Sequence, residues 1–349
     1  MSGRRFEQLL RAFNCTKERE NTDRLNKVSE VLRILIKNYQ NAYSPNEALS
    51  LDESLLLHRG RLSSKQYIKG KKAKYGIKFF KLCSPNGYIH NIEIYKGKQA
   101  VHPETTKLHS LVFRLMEHFL DKGHHLVVDN YYNSVPLSNK LLQRKTHTTG
   151  TLRSHRRGNP KNVTSKKLNK GDHIWLRQRK VYVSKWKDKR DVLCITTKYH
   201  PKIIEVRNSY GEIQQKPREI SEYNLNMSGV ERADQLTSYY SSSRKSVRWY
   251  KKIVIHLLDI TVINSFLLFR EIHKNTKIKN IKLLEFRESL IRSLLDISPD
   301  MKDGRQLVRK GALNCSRSKR STPSNETCPL EHILEKIPVP ENYARKATS

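Results

Sequence analysis

The segment Leu126-Val127-Val128-Asp129-Asn130 runs a short, wholly apolar stretch directly into a carboxylate. An uninterrupted apolar run of this length reads as a strand buried on both faces, the kind found in sheets covered by helices on either side. It constrains the chain to an α/β arrangement, in which acids at the carboxyl ends of strands are common metal or catalytic groups. The plain alternative is a loop acid capping the next turn. Acids are scarce here, with 33 Asp and Glu against 68 Lys and Arg and a formal net charge of +35. A carboxylate at a strand end in such a chain therefore needs a reason.

The positive excess implies a polyanionic partner, and nucleic acid fits best. A membrane surface is the rival. However, no signal peptide is read at Met1-Ser2-Gly3-Arg4, and no apolar stretch is long enough to span a bilayer. The nearest candidate, residues 253–269, is interrupted by His256, Asp259, Asn264 and Ser265 and reads as a buried core helix. Cys15, Cys83, Cys194, Cys315 and Cys328 lie far apart with no CxxC pair, which fits a reducing compartment and neither a disulfide framework nor a zinc module. Basic clusters at Lys69, Lys71, Lys72, Lys74 and at Arg317, Lys319, Arg320 suit a nuclear address, although such runs are commonly solvated surface.

Periodicity predicts two helical pieces in residues 4–38, one marked by Phe6, Leu9, Leu10 and Phe13, the other by Val28, Val31, Leu32, Leu35 and Ile36. A short strand, Ala48 to Asp52, follows a turn at Tyr43-Ser44-Pro45-Asn46 and also ends on an acid. Two β-rich runs, 77–82 and 88–95, flank Asn86-Gly87, a hairpin signal. Leu108, Leu111, Val112, Leu115, Met116 and Phe119 mark an amphipathic helix ahead of the Asp129 strand, and Pro136 opens another that ends near Arg144. Residues 145–220 are basic and β-like. Helices return over 229–240, 247–272 and 281–296, and from 299 the composition is that of a disordered tail.

If the strands ending on Asp52 and Asp129 are neighbours, their carboxylates meet at one edge of the sheet. Glu231 and Asp234 stand at i and i+3 of a predicted helix and share one face. Hard oxygen donors without Cys or His suit Mg²⁺ or Mn²⁺ rather than zinc. Two such ions about 3.5–4 Å apart serve phosphodiester transfer. For Glu231 and Asp234 the plain reading is that acids are favoured in the first turn of any helix. Trp186 and Trp249 are candidates for stacking on bases, with core packing the favoured reading for Trp249.

At these residues the chain resembles the piggyBac transposase family. Leu49-Ser50-Leu51-Asp52-Glu53 with Arg59-Gly60-Arg61 is similar to its first catalytic block, and Val127-Val128-Asp129-Asn130-Tyr131-Tyr132-Asn133-Ser134 to its second. Gly150-Thr151-Leu152-Arg153 with Arg156-Arg157-Gly158-Asn159-Pro160 resembles the basic motif that follows. Lys185-Trp186-Lys187-Asp188-Lys189-Arg190, Ser228-Gly229-Val230-Glu231-Arg232-Ala233-Asp234-Gln235, Arg248-Trp249 and Asn264 continue the series, over about residues 4–338. The resemblance implies an α/β fold with a ribonuclease H-like catalytic core, interrupted by a basic β-rich insertion domain and flanked by helical DNA-binding and dimerisation segments. The boundaries it suggests are 1–45 (helical), 46–145 (first part of the core), 146–220 (insertion), 221–298 (helical completion) and 299–349 (basic tail).

The resemblance further implies a nuclear DNA transposase, with double-stranded DNA as partner, a homodimer, and neither a membrane nor a small-molecule substrate. Family members cut transposon ends by hydrolysis, close a hairpin and join TTAA targets with Mg²⁺ or Mn²⁺. Asp52, Asp129 and Glu231 would be the metal ligands and catalytic residues, Asp234 the accessory acid, and Arg153, Arg156, Arg157 and Trp186 would contact DNA. Glu231 stands where the family has Asp, and the family's cysteine-rich zinc domain is not found. The chain therefore reads as a truncated or domesticated derivative. The alternative function is a catalytically inactive DNA-binding or chromatin-associated protein.

Overall fold

The computed structural model of the chain describes residues 2–15, 25–70, 73–97, 107–207, 210–276 and 281–295. Lys71, Lys72, Cys315, Cys328 and the tail beyond 299 lie outside these residues. The chain divides into two units, Met1–Arg287 and Glu288–Ser349.

Helices α1 (Gly3–Ala12) and α2 (Asn26–Ala42) lead into β1 (Ala48–Leu57), β2 (Gln66–Tyr67), β3 (Tyr75–Cys83) and β4 (Ile89–Ile94). Next come α3 (Lys107–Met116), β5 (His125–Val128), α4 (Val135–Gln143), β6 (His147–Thr151) and the single turn α5 (Lys161–Thr164). The basic stretch forms β7 (His173–Gln178), β8 (Val181–Lys187), β9 (Asp191–Thr196), β10 (Ile203–Arg207) and β11 (Ile213–Pro217). Helices α6 (Arg218–Asn226), α7 (Gly229–Tyr239), α8 (Trp249–Ile272) and α9 (Leu283–Leu294) follow.

Nine strands make one mixed sheet in the order β2-β3-β1-β5-β6-β9-β8-β7, with β4 also on β3, while β10 and β11 pair separately. β1, β5 and β6 run parallel. The remaining neighbours are antiparallel, including β1 with β3 and β6 with β9. The β3–β4 hairpin turns as expected at Gly87, whose φ of +99° is a left-handed conformation that glycine adopts without strain.

Side chains alternate across the sheet. Leu49, Leu51, Phe80, Leu82 and Val128 pack with Leu111 and Leu115 of α3 and Leu137 and Leu141 of α4. Ile77, Phe79 and Cys83 pack on the opposite face with Val230 and Ala233 of α7 and Ile253, Leu257 and Ile260 of α8. α8 is, among the described residues, the one helix long and apolar enough to cross a membrane, and much of it is buried in this second core. Its Asn264 amide holds the edge strand β4, accepting from Ile89 N at 2.9 Å and donating to Ile89 O at 2.8 Å.

Two expectations change. β1 does not stop at Asp52 but continues to Leu57, because residues 53–57 stay paired with β3. What ends at Leu51 is its parallel pairing with β5. Within residues 146–220, expected as an insertion, β6 joins β5, and β9, β8 and β7 extend the same sheet outward from β6.

Candidate active site

Register brings Asp52 and Asp129 together. In the parallel β1–β5 ladder Ser50 pairs with Val127 and Leu51 with Val128; Asp52 is the next residue of β1, and Asp129 the residue directly after β5. Alternation then puts both carboxylates on the face of Ser50, the face covered by α7. The approach of α7 is made possible by Gly229, where a Cβ would lie 2.4 Å from Ser50 Oγ and 2.6 Å from Ser84 O. β6 comes equally close on the other side: a Cβ on Gly150 would meet Val128 O at 1.9 Å and Asn133 Nδ2 at 2.8 Å.

Asp129 is half-buried, and its Oδ1 accepts the Tyr131 N–H at 2.8 Å. Burial pushes its carboxyl above the usual range; the Tyr131 amide opposes this and the Glu53 charge adds to it. The Asp52 carboxylate accepts the Glu53 N–H at 2.8 Å. Two tyrosines feel both aspartates. Tyr223 of α6 is pushed up to about 12, chiefly by burial, with Thr151 opposing and Asp129 and Asp52 adding. Tyr132 is raised by burial and then by Glu53 and Asp52, and its hydroxyl donates to Glu53 Oε2 at 3.0 Å.

On β3, Lys81 is the cross-strand partner of Asp52, fully buried, with its Nζ 2.7 Å from Asp234 Oδ1 on α7. Asp234 thus faces the sheet, one turn after buried Val230. Glu231 is exposed in the first turn of the same helix. Cys83, two residues from Lys81, senses the group: its thiol is raised first by burial, lowered by Lys81, and raised by Asp234 and Asp52.

The donors at this face are hard oxygens of the kind Mg²⁺ and Mn²⁺ prefer. The expected trio of Asp52, Asp129 and Glu231 nevertheless does not fit an ion as arranged. Among the described residues, no group of three or more His, Cys, Asp or Glu is placed to hold a metal. Two carboxylates converge, a third is exposed, and the fourth is engaged by an ammonium.

The basic motif after β6 serves the Asp129 turn. Arg153 is exposed, donates from Nε to Asn130 Oδ1 at 3.1 Å and lies 5.7 Å over the Tyr131 ring. Arg156 donates from one nitrogen to Asn130 O at 3.2 Å and to Tyr131 O, so this guanidinium braces the loop instead of standing free for phosphate. Arg157 is exposed. Trp186 is only 8% exposed and packs with Cys194 and Ile220, which corrects its expected place on a DNA-facing surface. The exposed tryptophan of this region is Trp175, which the sequence reading did not select. It is 38% exposed and clusters with Tyr182 at 5.7 Å and His200 at 5.0 Å, with Arg177 over Tyr182 at 5.5 Å. Lys81 and Tyr223 also escaped notice, because nothing local distinguishes them from ordinary strand and helix positions, while Glu53 and Tyr132 stood in the quoted blocks without a role of their own.

A protein family described as Transposase IS4 matches residues 1–266. Human piggyBac transposable element-derived protein 3 is 28% identical over 317 residues, covering 84% of this chain and 51% of that protein. Human piggyBac transposable element-derived protein 2 is 23% identical over 308 residues, covering 82% of this chain and 51% of that one. The chain therefore spans about half the length of these curated relatives. Among solved structures, a piggyBac transposase synaptic complex with hairpin DNA, determined by cryo-EM, shares the fold with a TM-score of 0.77 at 24% identity, covering 95% of this chain and 71% of that one.

Proposed function

This chain belongs to the IS4 transposase family and is a piggyBac transposase relative, and on that premise we propose that it binds duplex DNA and acts on its phosphodiesters at Asp52 and Asp129. The observation that carries the reading is the parallel register of β1 and β5, which delivers two carboxylates to one face from two separate sequence blocks. The strand order β4-β3-β1-β5-β6, with the first three antiparallel and the last three parallel, supports a ribonuclease H-like core. The net charge of +35 supports a polyanionic substrate. So does the likeness of the fold to a transposase described in complex with hairpin DNA.

The cofactor the family resemblance implies is Mg²⁺ or Mn²⁺, an ion that the carboxylates as arranged do not fit. The chain's own part is positional. Tyr223 and Tyr132 border the carboxylates, burial strengthens local electrostatics, and the braced Asn130–Tyr131 turn fixes Asp129. Cutting and joining at TTAA-type sites, dimerisation and a nuclear setting belong to the same proposal. For DNA contact, exposed Arg153, Arg157 and Trp175 are better placed than Arg156 or Trp186.

The second reading, a DNA-binding protein without catalysis, is favoured by the exposure of Glu231 and by the Lys81–Asp234 pair. A cleavage assay with Mg²⁺ or Mn²⁺ on TTAA-flanked ends separates the two, using wild type, Asp129→Asn and Glu231→Asp. Cutting by wild type or Glu231→Asp that Asp129→Asn abolishes supports the enzyme. Salt-dependent binding without cutting by any variant leaves the DNA-binding reading in its place.

A further inference from the structure

Two further rings stand around the exposed Trp175 of β7, the end strand of the sheet. Tyr182 of β8 lies 5.7 Å from it and His200, exposed shortly after β9, lies 5.0 Å away, with 5.6 Å between Tyr182 and His200. The three rings meet edge-on, at interplanar angles of 66°, 75° and 64°. Arg177 holds its guanidinium 5.5 Å over the Tyr182 ring, and Arg179 and Lys180 of the β7–β8 turn are exposed beside it. Aromatic rings left in water among cations have the composition of a nucleic-acid stacking site. A methylated ammonium, the other usual guest of aromatic clusters, sits against open ring faces. Here the rings touch one another, Arg177 already covers Tyr182, and the neighbouring cations repel such a guest.

Register carries the cluster to the acid face. Trp175 is opposite Ser184, Ser184 opposite Cys194, and Cys194 opposite Thr151. Thr151 follows Gly150, the partner of Val128, just as Asp129 follows Val128. Cross-strand partners point to one side of a sheet. Trp175 and Asp129 therefore share a face and a transverse row, four strands apart. Inside a duplex the face of each base is covered by its neighbours, so a protein ring stacks only on a base that has left the stack.

We propose that Trp175, with Tyr182 and His200 edge-on to it, is a stacking site for one unpaired DNA base, so that the protein selects DNA carrying an extrahelical base over fully stacked duplex. The inference rests on the DNA-binding part of the proposed function and needs neither a metal nor cleavage.

The test compares two duplexes of equal phosphate count by fluorescence anisotropy with the full-length chain at one salt concentration. One carries an extrahelical 2-aminopurine, the other an extrahelical abasic nucleotide at the same place. Wild type is expected to bind the first more tightly by about 5- to 100-fold, the range for stacking one base, and to quench its 2-aminopurine emission. The ratio of the two Kd values should fall to near one in Trp175→Ala and be largely kept in Trp175→Phe. A ratio of one in wild type overturns the proposal even if no variant folds, and leaves DNA binding itself intact. A ratio unchanged by Trp175→Ala also overturns it, since the base then stacks elsewhere. Binding of neither duplex removes the DNA-binding reading, and the proposal with it.

Discussion

Tyr132 donates its hydroxyl to Glu53 Oε2 at 3.0 Å, and this bond ties the strand that carries Asp52 to the turn that carries Asp129. The ring is fully buried and edge-on to Phe80, so the hydroxyl sits in an apolar layer with its charged acceptor beside it. Hydrogen bonds to charged groups are worth about 1.5–3 kcal/mol, and removing one partner leaves the other less well satisfied. Tyr132→Phe is therefore expected to destabilise the protein by about 2 kcal/mol, a thermal-melt shift of several degrees. An unchanged melting temperature would show that the bond contributes nothing.

Gly229 lets α7 sit directly on β1 and β3. A methyl there meets Ser50 Oγ at 2.4 Å and Ser84 O at 2.6 Å, and the second is backbone that cannot rotate away. Gly229→Ala is expected to cost about 1–3 kcal/mol, the usual range for overpacking, despite alanine's better helix propensity. Adding Ser50→Ala should recover only part of the loss. Chemical denaturation of the single and double variants checks both statements.

His90 and His125 are each pushed down to about 3, in both cases chiefly by burial. His125 Nε2 lies 2.8 Å from Thr149 Oγ1, and His90 Nε2 lies 2.7 Å from Ser84 Oγ. The unfolded chain binds protons at these rings near pH 6.5 while the folded chain stays neutral there. Their contribution is therefore fully present above about pH 6.5 and is lost as pH falls toward 3. Proton uptake on unfolding at pH 5 should fall by about one in His125→Gln relative to wild type, measured by calorimetry in buffers of differing ionisation heat. Equal uptake by both proteins would refute the assignment.

Trp175 and Trp186 should separate cleanly. Trp175→Ala is expected to weaken binding of single-stranded oligonucleotides by about 1–3 kcal/mol per stacked base, with little change in melting temperature. Trp186→Ala should instead destabilise the fold by about 3–5 kcal/mol, as deletion of a buried aromatic does. Fluorescence titration at two salt concentrations and a thermal melt decide the matter. Loss of binding confined to Trp186→Ala would reverse it.

That Asp52 and Asp129 follow neighbouring strand segments was open to sequence reading, because Leu126–Val128 is an uninterrupted apolar run and Ala48–Leu51 is apolar but for Ser50. The length of β1 was hidden, since Glu53, Ser54 and the leucines after them carry no clean alternation, and only pairing with β3 keeps them extended. α6 was hidden for another reason: Arg218–Asn226 is largely polar, and its helix is held through Glu219, which accepts from Ser184 at 2.6 Å and pairs with His173 at 2.9 Å. Both partners lie on strands far back in the chain. Lys81 shares its strand face with Ile77, Phe79 and Cys83, and its burial depends on α7, whose Asp234 pairs with it from far along the chain. Trp175 and Trp186 share one face of the β7–β8 ladder, and what separates them is Ile220 of α6, which packs on Trp186 alone. Spacing alone leaves that undetermined.

The unbroken ladder from β7 to β5 also sets a fixed gauge. Four strand spacings of about 4.8 Å separate the strand bearing Trp175 from the strand that ends at Asp129, a span of about 19 Å. Every step of it is bridged by backbone hydrogen bonds instead of by a hinge. A strand of DNA gripped at the outer hairpin would meet the carboxylates at a constant offset, so the choice of scissile phosphate would be made by counting along the polymer from the grip.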